Sequence, residues 1–185
     1  MSKPRALVLF AEGFEDIEAV TVVDVLRRGG VEVVMASVHE TREVTGAHGI
    51  PLRTDVLLSD VSDERFDALV LPGGGLGTEN LRKSQAVMDL VRRQKEEDGL
   101  LCAICAAPTV LVEAEVLEPE QHITCYPTCS VDLDRACANV PVVADGNVIT
   151  GQAPGSVFIF ATVLLSALAG EAVAMKVARG MVFDL

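Results

Sequence analysis

The stretch Leu100-Leu101-Cys102-Ala103-Ile104-Cys105-Ala106-Ala107-Pro108 decides how the chain is read. Its apolar half has the character of a buried strand. That strand ends at Cys105, small residues follow, and Pro108 precedes a helical pattern from Thr109 to Val116. A strand, a sharp turn and a helix start therefore meet at one thiol. This is the cysteine form of a nucleophile elbow, in which a tight strand-to-helix turn lifts one side chain into open space. A helix N-terminus favours negative charge. Cys105 is thus expected to ionise more easily than an ordinary thiol, and the thiolate is the reactive form.

Outward from the elbow, short apolar strands alternate with amphipathic helices. Ala6 to Phe10, Val31 to Val38 and Phe66 to Leu71 read as strands. Glu15 to Arg28 reads as a helix stopped by Gly29-Gly30, with Glu15, Asp16 and Glu18 in its first turn, where the helix dipole favours acids. Val44 to Leu58 holds Gly46, Gly49 and Pro51 between β-like pieces, which suggests a hairpin excursion. Ser84 caps a charged helix that runs to Asp98. Ile123 to Tyr126, Val140 to Ala144 and Asn147 to Thr150 are expected strands, the last two joined by a turn at Asp145-Gly146. Ser156 to Leu168 and Glu171 to Ala178 close the chain as helices. Such alternation predicts an α/β fold with a mostly parallel sheet covered on both faces.

The 185 residues suit a single domain, residues 1–185, with a sizeable core. Half of the chain is apolar, with no Trp and one Tyr, so that core is aliphatic. A net charge of −12 argues against a nucleic-acid partner, which needs a basic face. The apolar run after Arg5 is too short for a secretory signal. Val157 to Ala169 falls short of a membrane span. Five cysteines, an odd number, fit thiols in the cytoplasm better than structural disulfides.

Ligands of such sheets bind beyond the carboxyl ends of the strands. That rule gathers three loops: Ala11 to Glu15, Pro72 to Gly77, and the turn at Cys105. Cys105 is the candidate nucleophile. Cys102 completes a C-x-x-C but lies three residues back in a strand, where free cysteines act as small buried hydrophobes. The Gly73-Gly74-Gly75 run admits three readings: backbone donors for an oxyanion, a plain tight turn, or a dinucleotide loop. The last lacks the third glycine and does not follow the first strand. Glu18 also admits two. Shielded from water, it would keep its proton and act as an acid; exposed, it would only complement the dipole. His39, His48 and His122 show no metal-binding spacing, and no cofactor is called for.

Three segments carry a resemblance to a known family. Ala11-Glu12-Gly13-Phe14-Glu15-Asp16-Ile17-Glu18, Leu71-Pro72-Gly73-Gly74 and Ala103-Ile104-Cys105-Ala106-Ala107-Pro108 resemble the DJ-one/PfpI superfamily, in its parkinsonism-associated, YajL-like branch. Gln152-Ala153-Pro154-Gly155-Ser156 and the apolar helix after it match as well, in the same order. The resemblance implies a flavodoxin-like sandwich and a homodimer formed through the first helix, Glu15 to Arg28. It implies that Cys105 is the oxidisable nucleophile and that Glu18 is its protonated partner. Gly74, Gly75 and Ala106 would supply backbone donors around the sulfur, and Tyr126, Cys125, His48 and Pro154 are candidate lining residues.

Two departures shape the expected chemistry. Tyr126 stands before Pro127 where human-type members carry His, and a phenol is a poor base at neutral pH. Ala106 follows the nucleophile where the peptidase branch carries His, so amide cleavage is disfavoured. The expectation is a cofactor-independent glyoxalase or deglycase acting on methylglyoxal-type dicarbonyls or their adducts. The alternative is a redox-sensing protective protein or chaperone whose cysteine oxidises to sulfinate.

Overall fold

A computed structural model describes residues 3–133 and 135–183. The chain runs β1 (Arg5–Phe10), α1 (Asp16–Arg28), β2 (Glu32–Ser37), β3 (Glu43–Thr45), β4 (Pro51–Arg53), β5 (Val56–Leu57), α2 (Leu58–Val61) and β6 (Ala68–Leu71). It continues with α3 (Gly75–Lys83), α4 (Gln85–Glu96), β7 (Leu100–Ile104), α5 (Pro108–Glu113), β8 (Val142–Asp145), β9 (Val148–Gly151), α6 (Val157–Ala169) and α7 (Glu171–Gly180). Seven strands form one sheet in the order β5-β2-β1-β6-β7-β9-β8. Every pairing in it is parallel except that of β8 with β9. Helices cover both faces, as the continuous apolar strands require.

Side-chain alternation divides the core in two. Val8, Val70, Cys102 and Ile104 face α1 and α6, where they meet Leu26, Phe160 and Leu164. Leu7, Leu69, Leu101 and Ala103 point the other way, toward Val87, Val91, Val110 and Leu111. Cys102 is fully buried in the first layer, and burial holds its thiol far above the ordinary range. Its reading as core filler stands.

The hairpin excursion forms β3 and β4 as an antiparallel pair and clasps the loop after β1. Gly13 donates its N–H to the Thr45 carbonyl at 2.8 Å, and Ala47 donates to the Phe14 carbonyl at 2.8 Å. Thr45 in turn donates to the Glu12 carboxylate at 2.9 Å.

Two elements differ from the sequence reading. Gly75 to Gly77, read as the end of the loop that starts at Pro72, instead open α3, which continues through residues 78–83, where the sequence reading placed no element. Glycine costs about 1 kcal/mol in a helix, but a Cβ on Gly77 would lie 2.8 Å from the Gly13 carbonyl oxygen and from the Phe14 Cα. Close passage of two backbones overrides propensity there. Ile123 to Tyr126 is not a strand: it makes only an isolated bridge, Ile123 to Cys137. The strand it approaches, β9, already has β7 and β8 on its two edges. Thr124 therefore donates its N–H to the Thr150 side chain at 2.9 Å.

Candidate active site

Cys105 follows the last residue of β7 and has φ +64, a left-handed backbone unusual for a side chain with a Cβ. Two backbone bonds hold it there. Its N–H donates to the Gly151 carbonyl at 2.9 Å, and its carbonyl accepts the Tyr126 N–H at 2.7 Å. The Ala107 N–H closes the turn onto the Ile104 carbonyl at 3.0 Å. Pro108 then starts α5, where its missing N–H costs nothing. The strand, turn and helix start expected from sequence are present, but Cys105 is only 8% exposed, so its side chain is not lifted into open space as expected.

Glu18 reaches this thiol from the first turn of α1 and is 0% exposed. Gly73, at the end of β6, joins the two. Its N–H donates to Glu18 Oε2 at 2.8 Å, and its carbonyl accepts the Glu15 N–H at 3.0 Å. A Cβ on Gly73 would stand 2.7 Å from Cys105 Cβ and 2.7 Å from Glu18 Oε2. The absent side chain is what lets carboxyl and thiol approach. Glu18 Oε1 is buried with no formed hydrogen bond, although the carboxyl couples to the thiol electrostatically.

Burial raises the Glu18 pKa from 4.5 to about 7, against the lowering effects of the Gly73 N–H and Cys105; the nearby Glu15 charge adds to the rise. Glu18 is therefore an acid poised near neutrality, the shielded form of the two readings. The Cys105 thiol is pushed up to about 12, first by burial and then by the Glu18 carboxylate. This corrects the expectation of an easily ionised thiol. The helix after the elbow has only six residues, and the loss of water outweighs its dipole. The Gly74 and Ala106 N–H groups lean the other way and favour the thiolate. The carboxylate contribution exists only while Glu18 is ionised. A protonated Glu18 removes the repulsion and offers a donor to the sulfur instead.

The other expected residues scatter around this pair. Gly74 has φ +92 and caps α3. Gly75 begins that helix and lines a cavity of about 390 Å³ with Thr78, Arg82, Ala106, Thr109 and Cys129. Tyr126 is 41% exposed and tied to the elbow by its backbone. Half-buried Pro154 starts the turn between β9 and α6. His48 does not pair with the thiol: its Nε2 lies 3.5 Å from Glu15 Oε2, and its N–H donates to Asp16 Oδ2 at 3.0 Å. Those three side chains form a cluster of metal-ligand type, but Asp16 and Glu15 already serve the hairpin there. Cys125 is buried beside the elbow with its Sγ 3.3 Å from Cys137 Sγ. One contributor escaped the sequence reading as an individual: Gly73 is legible there only as part of a glycine run.

The sequence pattern of the DJ-1/PfpI family matches residues 4–167. The chain belongs to that family. It is 38% identical over 184 residues to protein dj-1beta of Drosophila melanogaster, covering 98% of this chain and 97% of that protein. It is 32% identical over 157 residues to a protein named deglycase in Pyrococcus abyssi, covering 83% and 93% of the two chains. The crystal structure of the Drosophila DJ-1beta superposes with a TM-score of 0.95 at 35% identity, covering 100% of both chains. An oxidized Toxoplasma gondii DJ-1 gives 0.94 at 33%, covering 98% of this chain and 100% of its own. The sheet order and flanking helices are thus those of DJ-1 structures, and the expected flavodoxin-like sandwich holds. No helix among the described residues is long and apolar enough to cross a membrane.

Proposed function

We propose that this DJ-1/PfpI member is a cysteine-dependent glyoxalase or deglycase, acting on methylglyoxal-type dicarbonyls or their early adducts with thiols and amines. The observation that carries this reading is the buried Glu18 carboxyl, raised to about 7, set against the elbow thiol of Cys105 through Gly73. The deglycase name of the Pyrococcus relative supports it.

In this reaction the Cys105 thiol gives its proton to ionised Glu18 as the sulfur attacks the aldehyde carbon, and the resulting alkoxide takes that proton back as a hemithioacetal. The Gly74 and Ala106 N–H groups, which favour negative charge at the sulfur, stabilise the developing alkoxide. Glu18 then takes the proton of the former aldehyde carbon while the neighbouring ketone oxygen is protonated, giving an enediol. A proton delivered to the second carbon, with loss of the hydroxyl proton on the first, leaves the lactoyl thioester. Water then releases lactate and restores the thiol. A carboxyl near pKa 7 suits both the taking and the giving of that proton. No external cofactor enters these steps. The single domain works in the cytoplasm, where a thiol-rich chain stays reduced. A second copy covers the α1 face on which Ile17 and Val20 are 54% and 47% exposed.

The test is steady-state conversion of methylglyoxal to lactate. The wild-type chain turns over and Cys105→Ala does not. Equal rates in the two would overturn the proposal. A second reading, favoured by the oxidized state of the similar Toxoplasma structure, makes Cys105 a redox sensor. Its signature is sulfinate at Cys105 under mild peroxide with negligible turnover.

A further inference from the structure

Beside the elbow lies a second pair of sulfurs that the proposed reaction does not use. Cys125 Sγ and Cys137 Sγ are 3.3 Å apart, although the residues are twelve positions apart in sequence. Their backbones are held on both sides. The Ala138 N–H donates to the Ile123 carbonyl at 2.8 Å, the Thr124 hydroxyl to the Val140 carbonyl at 2.9 Å, and the Tyr126 N–H to the Cys105 carbonyl at 2.7 Å. A disulfide bond is about 2.05 Å long, so the sulfurs need close by little more than an ångström. We propose that Cys125 and Cys137 are a redox-active dithiol that closes reversibly to an intrachain disulfide.

The chemistry requires a hydroperoxide. Half-buried Cys137 meets the oxidant, whereas Cys125 is only 2% exposed. The Cys137 sulfur takes the terminal peroxide oxygen to become a sulfenic acid, and the peroxide leaves as an alcohol, or as water from hydrogen peroxide. The Cys125 sulfur then attacks the Cys137 sulfur. The S–S bond forms, the S–OH bond breaks, and the hydroxide departs as water with the Cys125 proton. Two thiols are oxidised by two electrons and one peroxide is reduced. Burial and the neighbouring Cys137 push the Cys125 thiol up to about 12, so it is the contact with Cys137, and not ready ionisation, that makes Cys125 the resolving partner. The link closes a loop that contains Cys129 and Leu133, and these line the cavity beside Ala106. Oxidation therefore fixes one wall of that cavity without consuming Cys105.

The experiment treats the reduced full-length chain with stoichiometric hydrogen peroxide and then blocks remaining thiols with an alkylating reagent. Trypsin cuts after Arg135, which places Cys125 and Cys137 on separate peptides. The expected product is one cross-link joining those peptides, assigned by fragmentation to Cys125 and Cys137. It comes with the loss of two thiols per chain and is fully reversed by dithiothreitol. The link persists in Cys105→Ala and disappears in Cys137→Ala. A link from Cys125 to Cys105 or to Cys129, a link between chains, or both sulfurs remaining alkylatable while Cys105 is already sulfinate, would each overturn the proposal.

Discussion

The Gly73 N–H donates to Glu18 Oε2 at 2.8 Å, and the Cα of the same glycine leaves the gap through which Glu18 and Cys105 meet. One residue thus both orients the acid and clears its path. A Cβ there would also lie 2.9 Å from the Ile104 carbonyl oxygen, which is backbone and cannot swing aside. Gly73→Ala is expected to destabilise the fold by about 1–3 kcal/mol, as overpacking does. Methylglyoxal turnover should fall by about 10²-fold, the cost of misplacing a reacting group by an ångström. Urea unfolding and steady-state assays of the variant check the two effects separately.

Glu18→Gln keeps the shape of the side chain and removes proton transfer. Turnover is expected to drop by about 10²-fold or more, the range of a positioned acid–base group. Thermal stability at acidic pH should change little. An undiminished rate would take Glu18 out of the mechanism.

The same carboxyl imposes a pH dependence on folding. Its pKa rises from 4.5 in the unfolded chain to about 7 in the fold. Between those values the folded protein retains a proton that the unfolded chain has released, so stability falls as pH rises through this window. Above it the cost of the buried charge is about 3 kcal/mol. Denaturant midpoints of wild type and Glu18→Gln, measured from pH 4 to pH 9, should diverge across the window, with wild type losing ground, and run parallel beyond it.

Ionised Glu18 also opposes ionisation of the neighbouring sulfur. At pH 8 to 9, alkylation of Cys105 by iodoacetamide should therefore be faster in Glu18→Gln than in wild type. A rise of about three- to tenfold is expected, because a lower thiol pKa gives more thiolate of slightly weaker nucleophilicity. Fragmentation of the tryptic peptide 96–135 distinguishes Cys105 from Cys102, Cys125 and Cys129, which it also contains. A slower reaction in the variant would mean that the carboxyl works chiefly as a donor even at that pH.

Ile17 and Val20 project from α1 into solvent while Glu18 between them is sealed inside. A dimer through this helix predicts that Ile17→Arg converts the wild-type dimer to a monomer in sedimentation equilibrium. A monomeric wild type would remove the interface altogether.

Much of this architecture is legible in the chain because the strands β1, β6 and β7 are unbroken apolar runs and glycines mark their ends. The elbow is legible for the same reason: a strand, small residues and a proline leave few other paths. The position of Glu18, one turn into α1, follows from spacing, but its burial does not, since it depends on a glycine 55 residues away. The raised pKa of the thiol is not legible, because a helix start is visible in sequence while the amount of water excluded around it is not. Residues 123–126 have strand composition and lose that identity to two strands that reach β9 first. The Cys125–Cys137 contact depends on the path of an irregular segment, for which no periodicity exists.

Consider finally what the left-handed turn at position 105 implies for variation at that site. Any side chain with a Cβ bears about 1–2 kcal/mol of backbone strain in that conformation, and only glycine escapes it. Alanine would silence the sulfur while inheriting the discomfort, whereas Cys105→Gly would relax it and melt at a higher temperature than Cys105→Ala. Sturdiness and reactivity therefore pull in opposite directions at this one residue. A lineage freed from the need for its chemistry would have a downhill route to losing it.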